Sequence, residues 1–236
     1  MAAAASRPLL RTDRRLRRRK LVNQGTELVA AAAALAALAM LGILIGSVAA
    51  KGAGALGGDL FTRTTHIVGD FTTSSGVVNA IVGSFVIVAV ATGIAVPVGV
   101  LVAIYVHEFA HPRAARAIGL VLDVLNGVPS IVIGIFIFGL MVVGHGQSAL
   151  AGSIALAIIM LPLAARSTQE VLAVVPGHLR EAALGLGASR WRAVVGVVLP
   201  AALGGIVTGT TLAVARVAGE TAPILFTSSI AANAVD

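Results

Sequence analysis

Residues 28–50 and 79–106 each run without a single Asp, Glu, Lys or Arg, and residues 148–165 do the same over a shorter reach. About twenty apolar residues in a helix cross the ~30 Å hydrocarbon core of a bilayer. No water is available there to satisfy an open backbone, so such stretches must be helices or strands of a closed barrel. These runs are too long and too continuously apolar for alternating barrel strands. The composition agrees, with 58% hydrophobic and 11% charged residues, where a soluble domain is nearer half and a quarter. The expected fold class is therefore all-α, a polytopic membrane helix bundle with five spans. Their expected bounds are 28–50, 79–106, 120–143, 148–165 and 201–222.

The polar segments give the rest of the order. Residues 1–27 form a basic tail and residues 28–236 a transmembrane domain. Eight cations, Arg7, Arg11, Arg14, Arg15, Arg17, Arg18, Arg19 and Lys20, precede the first span. They suit anionic lipid headgroups. No interleaved aromatic residues offer a stacking surface for bases, so nucleic acid is not an expected partner. The small-residue site Ala53-Gly-Ala55 raises a cleaved signal peptide, but the apolar core exceeds the usual ~7–15 residues and more spans follow. An uncleaved first helix is expected. Lys51 to Val78, rich in Gly, Thr and Ser, reads as an external loop, and Pro97 as a kink in the second span. Asp123 is expected near the cytoplasmic end of the third span, where water can hydrate it.

There is no Cys, so thiolate chemistry is absent. His107 and His111 have helical i, i+4 spacing, but Pro112 interrupts the helix beside them. No metal site, catalytic residue or directly bound cofactor is expected. No G-x-x-x-x-G-K-[ST] loop is present to hold a nucleotide. Asn126-Gly-Val-Pro-Ser130 lies inside the third apolar run. It implies a kinked or unwound helix in which Ser130 can bond a freed carbonyl. Its backbone either lines a polar path or simply kinks for packing.

Orientation follows from charge. With the tail inside, fourteen of the seventeen Lys and Arg fall on the cytoplasmic side; Lys51 and Arg63 fall outside and Arg216 within a span. That is a strong positive-inside bias.

The polar segment before the last span contains Glu181-Ala-Ala-Leu-Gly-Leu-Gly187, nine residues, and then Val197-Val-Leu-Pro200. Pro176 suits the first turn of a short helix. Ala182 and Ala183 would let another backbone approach closely. Gly187 can take the left-handed conformation that ends a helix, Ser189 can cap the next one, and Pro200 marks the start of the last span. The spacing resembles the EAA loop of ABC importer permeases, and it falls on the side assigned to the cytoplasm. The resemblance implies a docking element at about 176–200 for an ATPase, with Arg180, Glu181, Ala182, Ala183 and Gly187 as its coupling residues.

An Arg deep in an apolar run costs at least ~2.5–3.5 kcal/mol on insertion scales, so Arg216 is not incidental. Glu220 lies one helical turn on, about 6 Å along the axis, so the two can pair. Either they glue helices together or they form an anion site with a counter-charge. Arg216-Val-Ala-Gly-Glu-Thr-Ala-Pro223 resembles the phosphate-type ABC permeases. Gly127-Val-Pro-Ser-Ile-Val132, Leu161-Pro162, Arg166-Ser-Thr-Gln-Glu170 and Val175-Pro176 resemble the same subfamily, over roughly residues 76–227. The resemblance implies a permease subunit of an ATP-driven phosphate importer in a bacterial plasma membrane. The implied substrate path includes Arg216, Glu220, Thr221, Ser130 and Arg166. The implied partners are a second, homologous permease, an ATPase dimer that carries the ATP and magnesium, and an external phosphate-binding protein. A permease for molybdate or sulfate is an alternative, as are a phosphate-sensing adaptor that transports nothing and a proton-coupled carrier. The family has six spans, whereas this sequence ends at Asp236 outside the fifth, so either the sequence is incomplete or the last span is absent.

Gly205, Gly209, Ala213, Arg216 and Glu220 fall within a sector roughly 80° wide on an ideal helix. The small residues suit close helix packing, so this face is expected to turn away from lipid. The topology is testable without background, because the chain has no Cys. Cysteines at Thr12 and Ala188 should be shielded from an impermeant thiol reagent in intact cells, and one at Ser75 should react. Labelling at Ala188 from outside would reverse the orientation.

Overall fold

The computed structural model describes residues 13–55, 57–63 and 76–228. Arg7, Arg11, Thr12, Ser75, much of the expected external loop and the last residues through Asp236 lie outside them. The chain divides into two units, residues 1–60 and 61–236. In the first, α1 (Asp13–Gly52) is one helix of 40 residues. It therefore begins inside the stretch read as a tail. Its most apolar window is unburied along its whole length, which suits a helix solvated by lipid.

The second unit contains only helices among the described residues. These are α2 (Val78–Ile104), α3 (Pro112–Gly127), α4 (Ser130–Ile137), α5 (Ala149–Val174), α6 (Gly177–Gly185), α7 (Arg190–Ala193), α8 (Leu199–Ala218) and α9 (Ala222–Thr227). Short π-helical turns extend α2 through Phe109 and α4 through Val142, and join α7 to α8. Four helices among the described residues are long and apolar enough to cross a membrane: 16–52, 78–109, 149–174 and 190–218.

The third expected span is different. It is not one kinked helix over 120–143 but two helices meeting at 94°. The cause is local. Val128 precedes a proline, which disfavours the helical region, and both Val128 (ψ 127°) and Pro129 (ψ 133°) are extended. Two extended residues in a row redirect the chain. Ser130 starts α4, and its side chain bonds no freed carbonyl; the turn closes instead through the Val132 amide donating to the Pro129 carbonyl at 2.9 Å. Two other expected bounds also move. The fourth span continues through Val174, and the last is helical from Arg190, well before Pro200. Pro200 interrupts no rod because a π turn precedes it, with the Leu199 amide bonded to the Val194 carbonyl. Pro97 and Pro162 lie inside continuous helices.

α5 is the axis of this unit. Ile87, Ala91 and Ala95 of α2, Leu156, Ala157 and Met160 of α5, and Ala213 and Val217 of α8 form one core. Ile104, Leu172, Val175, Val194, Val198, Ala202 and Ile206 form another at the far end of α5. Glycines set the spacing. A Cβ on Gly99 would lie 3.0 Å from the Ala164 Cβ and the Leu161 carbonyl oxygen of α5. One on Gly205 or Gly209 would lie 2.6 Å from the Val171 or Ser167 side chain of the same helix. Those two glycines and Ala213 thus pack inward, whereas Arg216 of the same expected face is exposed. Two buried hydroxyls bond back along their own helices, Thr210 to the Ile206 carbonyl at 2.7 Å and Thr227 to the Pro223 carbonyl at 2.8 Å.

The segment after Thr221 does not simply turn outward. α9 folds against α4, where Pro223 is buried and a Cβ on Gly134 would come within 2.7 Å of the Pro223 Cα. The Ser148 amide also donates to the Thr227 carbonyl at 3.1 Å. Because backbone cannot yield as a side-chain tip does, Gly134→Ala should destabilise the bundle by about 1–3 kcal/mol. Gly93→Ala, where a Cβ meets nothing within 4 Å, should be neutral or gain up to ~1 kcal/mol from helix propensity. Denaturation in detergent, followed by circular dichroism, checks both; equal effects would contradict the packing.

Candidate functional site

Two constructions stand out, a hairpin at one end of the unit and a cavity beside the break between α3 and α4. In the hairpin, α6 ends at Gly185 and the chain reverses into α7. Gly187 has φ +84°, the left-handed conformation in which only glycine is unstrained. Its amide donates to the Leu184 carbonyl at 2.9 Å, and the Ala188 amide to that of Ala183 at 3.1 Å. This double closure is a Schellman motif. Pro176 stands one position earlier than expected, as the residue before the helix rather than in its first turn. Ser189 occupies the cap position of α7, but its side chain makes no capping bond.

The coupling residues divide into two sets. Arg180 is half-buried, and its Nε and Nη2 donate to both oxygens of the Glu108 carboxylate at 2.8–3.2 Å. Nη1 also donates to the Val175 carbonyl at 3.0 Å and Nη2 to that of Leu172 at 3.1 Å, capping the end of α5. Ala183 is buried in its own subunit at 8% exposure. α6 turns this residue toward the bundle. Glu181, Ala182 and Gly187 are exposed, with Leu184 and Leu186 beside them, the latter at 90%.

The cavity has a volume of about 300 Å³. It is lined by Asn126, Ser130, Arg216 and Glu220, with Ile159 and Leu163 of α5 on its apolar side. The break thus meets the last long helix, and three of the five expected path residues share one space. The two charged groups do not pair, however; no ion pair joins Arg216 to Glu220. α8 ends at Ala218, and tight bonds from the Gly219 amide to the Arg216 carbonyl and from the Glu220 amide to the Val217 carbonyl close it. Glu220 is therefore off the helix and not an i+4 neighbour. Thr221, exposed before α9, does not line the cavity.

Arg166 does not line it either. Its guanidinium is bonded to the Asp123 carboxylate, to the Gly119 carbonyl at 2.8 Å and to Gln169 Oε1 at 3.0 Å. It ties α5 to α3. Asp123 is 65% exposed and is paired with Arg166. His111 caps α3, its Nδ1 accepting from the Arg113 amide at 3.4 Å. Among the described residues no three His, Cys, Asp or Glu are grouped as metal ligands. Sequence reasoning missed Glu108 and Asn126 as site residues. The only signal for Glu108 was a carboxylate just beyond an apolar run.

Residues 95–233 match the sequence profile of the binding-protein-dependent transport system inner membrane component family. The chain belongs to this family of transport permeases. The matched region takes in the EAA hairpin, the break and Arg216. Among curated relatives, the phosphate transport system permease protein PstA of Haemophilus influenzae is 43% identical over 181 residues, covering 75% of this chain and 63% of its own length. The PstA of Mycobacterium leprae is 46% identical over 154 residues, or 64% and 51% of the two chains. That of Xylella fastidiosa is 37% identical over 215 residues, or 90% and 74%. The chain thus spans between half and three quarters of the length of these relatives. Among solved structures, a chain of the inward-facing methionine ABC transporter MetNI superposes with a TM-score of 0.52 at 27% identity, covering 61% of this chain and 68% of that one. The helix bundle is accordingly of the ABC importer permease type.

In this permease the hairpin turn depends on Gly187. Gly187→Ala would force a Cβ into the left-handed region at about 1–2 kcal/mol. Amide exchange at positions 187 and 188 should then quicken roughly 5- to 30-fold, while the core of α5 is unchanged. Unaltered exchange at both would show that the turn does not rely on glycine.

Proposed function

We propose that this chain is the membrane-spanning permease subunit of an ATP-driven importer of inorganic phosphate. Its place is a bacterial plasma membrane, with the N-terminus and the EAA hairpin in the cytoplasm. A second, homologous permease would complete the translocation path. An ATPase dimer would hold ATP and magnesium and dock on the exposed side of α6, at Glu181, Ala182, Leu184 and Leu186. An external phosphate-binding protein would deliver the anion. This subunit itself binds no nucleotide and hydrolyses none.

The observation that carries the reading is the unpaired Arg216 in the cavity beside the 126–130 break, in a chain whose curated relatives are named phosphate permeases. A guanidinium offers a planar fork that matches phosphate oxygens. Asn126 and Ser130 add neutral hydrogen-bonding groups. Glu220 on the same wall opposes a second negative charge, which keeps binding weak enough for release. Arg166 is left out of the path, because it does not line the cavity and is paired with Asp123.

Arg216→Gln should abolish phosphate uptake by the reconstituted complex while assembly and ATP binding survive. Arg216→Lys should retain little uptake, since a point charge lacks the bidentate fork. Uptake of radiolabelled phosphate, with molybdate and sulfate as competitors, is the measurement. Transport recovered in Arg216→Gln/Glu220→Gln would refute the anion site. Uptake of molybdate or sulfate in place of phosphate would reassign the substrate, and ATP binding without uptake in the wild type would favour the sensing adaptor.

A further inference from the structure

The outgoing end of α2 touches both arms of the EAA hairpin. Glu108 holds Arg180 of α6, and its side chain is only 6% exposed. The next residue, Phe109, stands 5.9 Å from the Trp191 ring of α7, and Arg190 lies over the Phe109 ring at 5.6 Å. Both gripping residues belong to the π turn Tyr105–Phe109. That turn adds a residue to the helical repeat, so Glu108 rather than His107 continues the buried row of Ala95, Gly99 and Ala103. His107 remains at the rim, with Nε2 3.9 Å from the Glu108 carboxylate and 30% of its side chain exposed.

The rest of the hairpin's seat is apolar, formed by Ile104, Leu172, Val175, Val194 and Val198. Apolar contact is non-directional and permits sliding. The fork of Arg180 on a buried carboxylate does not, because two parallel hydrogen bonds fix both distance and angle. We infer that Glu108 is a positioning residue through which displacement of the EAA hairpin is transmitted to α2. The inference rests on the permease reading above and adds the residue that links docking to the spans. The hairpin's arms would move with the π turn as one body, and α2, packed along α5 through Gly99, would carry that movement into the bundle.

The test uses the assembled complex in proteoliposomes. A cysteine at Leu101, an exposed position of α2 in a chain with no other Cys, carries an environment-sensitive fluorophore. ATP should change its emission in the otherwise wild-type complex. Glu108→Gln should reduce that change at least tenfold while the ATPase subunits still co-purify, and Glu108→Asp should recover part of it. A merely structural pair would lower assembly but leave the response of each assembled complex intact. An equal response in Glu108→Gln therefore overturns the inference. If Glu108→Gln fails to assemble, Glu108→Gln/Arg180→Met removes the stranded cation as well. Assembly restored without the response supports transmission. Assembly restored with the response overturns it, as does failure of the double variant to assemble, which would make the pair a folding device. A wild-type complex that gives no response to ATP overturns both the permease reading and this inference.

Discussion

The close seating of helices on α5 is the contact on which the rest of the second unit depends. Lipid tails are as apolar as leucine, so apolar burial gives little drive for one membrane helix to meet another. What remains is van der Waals contact, and that grows as backbones approach. Gly99 on α2 and Gly205 and Gly209 on α8 supply the approach, each lacking the atom that would collide with α5. The two helices therefore share one axis. The cores around Met160 and Leu172 follow from that geometry rather than from large side chains.

With three helices fixed, the cavity and the hairpin's seat both lie where regularity fails. The break at 126–130 was signalled by its Gly and Pro, whereas the π turns stand where the apolar pattern gives no sign. The extended pair Val128–Pro129 turns the chain by 94° and brings Asn126 and Ser130 to the wall that faces Arg216. A continuous span would have carried those groups past the cavity along its axis. The π turn before Ala110 rotates Glu108 inward. Backbone irregularity at membrane depth is tolerated where it lines a cavity or is buried in protein, and here the break lines the cavity, with Asn126, Gly127 and Pro129 exposed.

Charge is handled differently at the two sites, with Glu108 buried and Arg216 exposed. Glu108 and Arg180 are matched bidentately, and the remaining guanidinium donors cap α5. Breaking such a pair typically costs about 3–5 kcal/mol, so it holds the hairpin in one place. Arg166 is similarly committed, to Asp123 and Gly119. Arg216 has no carboxylate partner among the described residues. Two of these arginines are thus held in ion pairs and one, among the described residues, is free of them.

Much of this was determined by the sequence alone. Uncharged runs longer than a bilayer is thick allow only helices, and the EAA spacing with Gly187 dictates a hairpin whose turn needs a left-handed residue. Gly205 and Gly209 were legible as a packing face because helical periodicity is local. Other features were decided only by tertiary structure. Arg216 and Glu220 are four residues apart, which reads as a pair on a continuous helix; the helix ends between them, and the pair does not form. Ala183 looked like a surface for a partner because alanine is small, yet α6 packs with that residue toward the bundle. Arg180 and Glu108 are 72 residues apart. Nothing in a linear pattern joins two such charges, because tertiary packing brings them together and their mutual attraction must then outweigh the cost of dehydrating both.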